Sequence, residues 1–195
     1  MKIVKRVLIV IAVLVAIPLI IALFTKKDYA VERAIVINKP KQEVFDYVKL
    51  LRNQDNFSVW TRLDPKMKKE FRGTDGTVGF VYAWDSEGSK GAGAGEQKIV
   101  KINEGESVDM NLHFIRPFEG LADARFTTAE VAAGQTKVTW GFKSSMKYPM
   151  NAMLLFMDMD KVLGKDLETG LKDLKSVLEK QALTRISNYY HLIPL

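Results

Sequence analysis

Few residues in this chain combine the type and spacing that catalysis needs. Its 195 residues include no cysteine and two histidines. Thiol nucleophiles, disulfides, Fe–S clusters and cysteine-based zinc sites are therefore excluded, and two imidazoles are too few for most catalytic zinc sites. His113 and Asp109 stand four apart in a strand-like run, which places them on one face but about 13 Å apart, too far to share an ion or a proton. Both fall on the polar phase of that run with Asn111, so an outward solvated face is expected. His191 has no partner by spacing. Gly91-Ala92-Gly93-Ala94-Gly95 superficially suggests a phosphate-binding loop, but such a loop must follow a strand and open a helix. This one enters Gln97-Lys98-Ile99-Val100, a strand. Glycines two apart share a face, and the expected result is a smooth patch that another element or a ligand can approach. No catalytic residue, metal or cofactor is assigned.

The stronger signal is apolar. Val78, Phe80, Tyr82 and Trp84 alternate onto one face, as do Val108, Met110, Leu112 and Phe114, and again Val138, Trp140 and Phe142. Met146, Met150, Met153, Met157 and Met159 crowd the segment that follows. A sheet packed on a helix needs such residues for its core. Flexible methionines, however, suit variable apolar partners, and an aromatic-lined cavity with few polar groups is the usual small-ligand site. The candidate binding residues are Phe80, Tyr82, Trp84, Met110, Leu112, Phe114, Trp140, Phe142, Met153 and Met157. Were protons to be handled as well, Tyr82, Gln97 and Asp109 are conceivable players, with no two placed within reach by spacing. An inward carboxylate or tyrosine with a shifted pKa would favour an enzyme; a uniformly apolar lining would favour a carrier.

These side chains need elements to hold them. A first strand runs through Tyr29 and Val31 to Ile37, and Asn38-Lys39-Pro40 ends it. Val44, Phe45, Val48 and Leu51 then recur at helical spacing over residues 41–51, followed by a short helical or irregular piece over 53–60. Six strands are expected at 67–71, 77–84, 93–102, 107–115, 122–131 and 136–144, separated by turn residues such as Gly73-Thr74-Asp75-Gly76 and Asn103-Glu104-Gly105. Their apolar faces need a partner. The spacing of Leu163, Leu167, Leu171, Leu174 and Leu178 predicts a long helix over 151–180 with one apolar stripe. Gly164 and Gly170 interrupt that pattern, which points to a break or to close packing. Residues 181–195 show no convincing period and are read as a tail that packs locally or stays mobile.

At the other end, 18 consecutive uncharged residues run from Val7 to Phe24, roughly 27 Å as a helix and close to the thickness of bilayer hydrocarbon. The run is longer than a signal peptide's apolar core and ends without a small-x-small cleavage site. A single-pass anchor over residues 1–27 is therefore expected, with a globular domain over 28–180. Lys2, Lys5 and Arg6 precede the span and Lys26 and Lys27 follow it. That slight bias puts the N-terminus inside and the domain on the far side of the cytoplasmic membrane, periplasmic or otherwise extracytoplasmic. The chain's net charge of +6 lies almost wholly in this segment, because its five cations meet no acid there. The domain is nearly neutral, and a nucleic-acid partner is not expected. The one dense basic group, Lys66, Lys68, Lys69 and Arg72 around Glu70, reads as a solvated sheet face.

The order strand, two short helices, six strands and long helix is that of a helix-grip α+β fold, a curved antiparallel sheet of about seven strands wrapped around a C-terminal helix. Val31-Glu32-Arg33 leading to Ile37-Asn38-Lys39-Pro40, Asp64-Pro65, Gly79-Phe80-Val81-Tyr82-Ala83-Trp84, Pro117-Phe118, Thr136-Lys137-Val138-Thr139-Trp140 and Gly170-Leu171-Lys172-Asp173-Leu174 stand in an order similar to that of the SRPBCC superfamily. Over residues 29–180 the chain resembles its START-like members, related to the birch-pollen allergen fold, and among them the bacterial polyketide cyclase or dehydrase-like proteins. The resemblance implies a cavity for a hydrophobic ligand without implying a reaction, since members bind lipids, sterols, hormones or polyketides. The expected function is a membrane-anchored binding or carrier domain for a lipid-like or quinone-like molecule. The alternatives are a cyclase-like enzyme and a protein-interaction module with a filled core.

Overall fold

The computed structural model describes residues 2–87 and 92–190, with side chains as far as residue 180. Its first element is α1 (Lys2–Phe24), 23 residues with Pro18 inside it. The helix is long and apolar enough to cross a membrane, with a mean hydropathy of 3.4 over its best window, of which 6% is buried. A core helix of a soluble protein is mostly buried; in this one only Ala22, near its end, is buried.

After β1 (Asp28–Ile37) and α2 (Lys41–Lys49), two 3-10 turns, Leu51–Asn56 and Trp60–Arg62, lead into β2 (Lys68–Arg72). The meander then continues through β3 (Val81–Asp85), β4 (Ala94–Asn103), β5 (Ser107–Arg116), β6 (Gly120–Ala132) and β7 (Gln135–Ser145), and the chain ends in α3 (Met159–Tyr190). The seven strands form one antiparallel sheet in the order β1-β7-β6-β5-β4-β3-β2. β1 is thus the first strand in the chain, yet it pairs with the last, Val31 opposite Phe142. The architecture is the helix-grip α+β fold.

Alternation decides which face is buried. Val108 and Met110 on β5, Ala124 and Phe126 on β6, and Val138, Trp140 and Phe142 on β7 all turn inward, where Leu167, Leu171, Leu174 and Leu178 of α3 meet them. Both helix glycines are sites of close packing. A Cβ on Gly170 would lie 2.8 Å from the Trp140 ring, and one on Gly164 would lie 2.1 Å from the Arg33 guanidinium, which crosses the helix to grip Asp160 at 2.9 Å.

Three expectations need correction. Val78 precedes β3 and is exposed, because the turn at Gly79, with its φ of +96°, breaks the alternation before the strand begins. The long helix starts at Met159; residues 150–155, read as its first turns, form a separate 3-10 turn behind Pro149. At the other end the helix carries on to Tyr190, so most of the span read as a tail continues α3.

Candidate functional site: an apolar cavity under the sheet

Between the sheet and the start of α3 lies a cavity of about 190 Å³. Five strands supply its roof, through Tyr82 and Trp84 on β3, Gln97 on β4, Met110, Leu112 and Phe114 on β5, Ala124 on β6, and Trp140 and Phe142 on β7. Leu163 and Leu167 of α3 form the floor, while Gln54, Ser58, Trp60 and Thr61 close one side from the 3-10 turns. Those turns are irregular but tied down. Asp75, from the loop after β2, accepts the backbone N–H of Leu51 at 2.8 Å and of Arg52 at 3.1 Å, and the Arg52 guanidinium lies 3.9 Å over the Phe71 ring.

Aromatic contacts hold the walls. Trp140 packs on Phe126 at 4.8 Å between ring centres and meets Phe57 and Trp60 edge to face, each at 5.7 Å. Farther along, Trp84 meets Phe114 at 6.0 Å, and Phe114 meets Phe142 at 6.5 Å. Gly95 permits this arrangement, since a Cβ there would stand 2.6 Å from the Trp84 ring. Gly95 thus makes room for the Trp84 ring, whereas at Gly93 a Cβ would meet the Arg116 carbonyl oxygen at 2.1 Å.

Polar groups on the wall are few and engaged. Gln97 donates to the Gln54 carbonyl oxygen at 2.9 Å, and Gln54 donates to the Met110 sulfur at 3.9 Å, an amide pair buried at the inner end. Tyr82 donates its hydroxyl to Asp55 at 3.2 Å, and Asp55 is paired with Lys69 at 2.7 Å. Burial, and then the Asp55 carboxylate, push the Tyr82 phenol far above its ordinary value. That shift runs the wrong way for proton transfer near neutral pH, where a useful acid or base titrates close to the working pH. Asp109 stands on the opposite face of the sheet, 3.0 Å from Arg125, and His113 lies 3.5 Å from Glu119 with its side chain 41% exposed. No cluster of potential metal ligands occurs among the described residues.

Of the residues singled out by pattern, the structure brings Tyr82, Trp84, Met110, Leu112, Phe114, Trp140 and Phe142 to the cavity. Phe80 is buried in the core against Phe71 at 6.2 Å between ring centres and is not on the wall. Met153 and Met157 lie at the surface, because the segment carrying them is no part of α3. Gln54, Ser58, Trp60 and Thr61 were missed, as 3-10 turns give no hydrophobic period to read. Leu163 and Leu167 could have been found, being the first two members of the leucine stripe.

The cavity sits at one end of the sheet. Trp84 is one residue from the end of β3, Phe114 two from the end of β5, and Ala92 two before β4 begins. Trp60, Thr61, Trp84, Phe114 and Leu163 are half-exposed, whereas Gln54, Gln97, Met110 and Leu167 are buried; the first set marks the mouth. β1 begins and β7 ends at this same end of the sheet, Asp28 opposite Ser145. The mouth and the end of α1 therefore share one pole of the domain.

No protein-family model matches the chain, and no curated protein matches it. Solved structures do. Major latex-like protein 151 from Panax ginseng is 15% identical, with 77% of this chain and 97% of that one covered and a TM-score of 0.57. Norcoclaurine synthase from Thalictrum flavum, in complex with dopamine and hydroxybenzaldehyde, is 8% identical, covering 83% and 92%, at a TM-score of 0.59. The di-domain ARO/CYC StfQ from the steffimycin biosynthetic pathway is 9% identical, with 80% of this chain and 52% of that one covered, at 0.60. Likeness of structure at such low identity shows a shared fold, the helix-grip fold described above. Function has to be argued from the site itself.

Proposed function

We propose that this protein is a membrane-tethered binding domain that holds an apolar small molecule between its sheet and its C-terminal helix. The cavity carries the proposal: aromatic and aliphatic walls, a partly open mouth, and polar groups already engaged with one another. Its volume of about 190 Å³ is below the roughly 300–1,000 Å³ of sites that enclose drug-sized ligands. It suits a single ring or the end of one chain, as in a quinone-like head or an acyl segment, and not a whole phospholipid.

Burying about 200 Å² of apolar ligand surface would contribute roughly 5 kcal/mol before the costs of association, which sets roughly 0.2 mM as the tightest dissociation constant in water that burial alone supports. Binding that weak needs a concentrated source. A tether that keeps the mouth beside a bilayer supplies one, by the same effective-concentration argument that governs linked binding modules.

The test is to fill the space. Ala124 lies on the wall and is buried, so Ala124→Leu puts three more carbons into the cavity. The full chain, extracted in lipid nanodiscs from its own membrane, is expected to carry an apolar adduct in native mass spectrometry as long as the surrounding lipid is kept. The variant is expected to keep its melting temperature and lose the adduct. An adduct unchanged in Ala124→Leu would overturn the proposal.

A further inference from the structure

Between β7 and α3, the short segment 148–157 exposes Tyr148, Met150, Met153, Leu155, Phe156 and Met157, and Phe156 is 81% exposed. Single exposed apolar side chains are ordinary; six within ten residues form a patch of the kind that marks an interaction surface.

The structure also shows what lies beside it. Asn151, fully buried in the middle of this segment, donates its side-chain amide to the Ala22 carbonyl at 2.6 Å and to the Thr25 carbonyl at 3.2 Å. These carbonyls belong to the last turn of α1 and the residue just past it, where a helix leaves acceptors unpaired. The latch forms even though it leaves the other side-chain atom of Asn151, Oδ1, buried without a partner. A backbone bond from Met146 to the Lys27 carbonyl at 2.8 Å fixes the same junction from the strand side. The patch is thereby held within hydrogen-bonding reach of the end of α1.

Depth follows from length. Lys2, Lys5 and Arg6 keep the first turns of α1 out of the hydrocarbon, and the uncharged run from Val7 to Phe24 reaches about 27 Å, close to the roughly 30 Å of bilayer hydrocarbon. Its last turn then lies at the far hydrocarbon boundary, with Lys26, Lys27 and the exposed Lys147 at headgroup level.

We infer that residues 148–157 form a foot that seats in the headgroup and acyl boundary of the leaflet from which α1 emerges, turning the cavity mouth toward that leaflet. This rests on the reading of α1 as a membrane anchor and adds that the domain has a fixed face toward the lipid. The occupant is lipid in preference to a second copy, because the latch places the patch at the level of the headgroups and Lys26, Lys27 and Lys147 stand on its α1 side, while Asp158 and Asp160 beyond it are neutralised by Lys161 and Arg33. Entry of an apolar ligand then needs no passage through bulk water.

The chain has no cysteine, so single labels can be placed at will. Phe156→Cys, Leu14→Cys in the middle of α1, and Ala133→Cys in the turn between β6 and β7, at the opposite pole, would each carry an environment-sensitive fluorophore. Each full-length variant would be reconstituted in vesicles of phosphatidylethanolamine and phosphatidylglycerol containing nitroxide-labelled lipid. Shallow nitroxides are expected to quench position 156 several-fold more than position 133, and deep nitroxides to quench position 14. Quenching at 14 with none at 156 above the level at 133 would overturn the foot while leaving the anchor intact. A blue-shifted but unquenched label at 156 would mean that protein covers the patch, and would overturn it too. Absence of quenching at 14 would remove the anchor and the foot together.

Discussion

Tyr82 shows how burial can take a titratable group out of chemistry. Its phenol lies under the sheet, donates to Asp55 and is held far above its usual value, first by desolvation and then by that carboxylate. The consequence for stability has a definite sign. Below the unfolded tyrosine value of about 10 both states keep the proton, and the stabilisation is complete. Above it the unfolded chain releases the proton while the folded chain retains it, so stability falls as pH rises toward the folded value. Tyr82→Phe removes this contribution while Asp55 keeps Lys69. The melting temperature of wild type is therefore expected to drop more steeply than that of Tyr82→Phe between about pH 9 and pH 11; parallel curves would contradict the assignment. Single residues were legible where alternation was strict, as on β5, whose Met110, Leu112 and Phe114 all reach the cavity. Gln54 was not, since its position depends on Asp75 clamping a 3-10 turn from more than 20 residues away, and Trp60 was not, since the short turn that carries it has no hydrophobic period.

Among the elements, α3 contains two glycines that helix propensity alone would count as faults. Alanine at Gly170 gains up to about 1 kcal/mol of propensity, but its Cβ would press on the Trp140 ring at 2.8 Å and the Phe57 carbonyl at 3.3 Å. Neither neighbour can swing aside, and such overpacking costs about 1–3 kcal/mol. Gly170→Ala is thus expected to lower stability by about 1 kcal/mol in chemical denaturation; a gain would show that Trp140 has room to move. Gly164 differs, because its neighbour is the flexible end of Arg33, which can give way at the expense of its grip on Asp160. The leucine stripe announced α3, whereas its start did not show. Methionines and leucines at 150–157 are good helix formers, and the signal for the true start was Asp158, whose carboxylate accepts the Lys161 N–H at 3.2 Å as a cap of α3.

For the whole molecule, one pole gathers the end of α1, the cavity mouth and the exposed segment 148–157, and the turns at Asn103-Glu104-Gly105 and Gly134 lie at the other. The charge bias around α1 predicts that this assembly faces away from the cytoplasm. A phosphatase reporter fused after Leu195, active only when exported, is expected to be active; activity confined to a cytoplasmic reporter would reverse the orientation. Strand order was readable because every hairpin carries its own turn signal. The pairing of β1 with β7 was not, since no local pattern joins strands so far apart in sequence.

The two sides of the sheet end differently. Along β1, Lys175 of α3 donates to the Val36 carbonyl at 2.7 Å and Arg33 to that of Glu32 at 2.8 Å, which occupies that margin. β2, at the opposite margin, is five residues long and reads Lys-Lys-Glu-Phe-Arg. On the proposed anchor the molecules would diffuse in two dimensions, where collisions between like molecules are frequent and their orientations are restricted. An open margin would then invite sheet-to-sheet fusion into ribbons. A strand so short and so charged offers few free backbone groups and repels its own copy, so tethered molecules would crowd without polymerising.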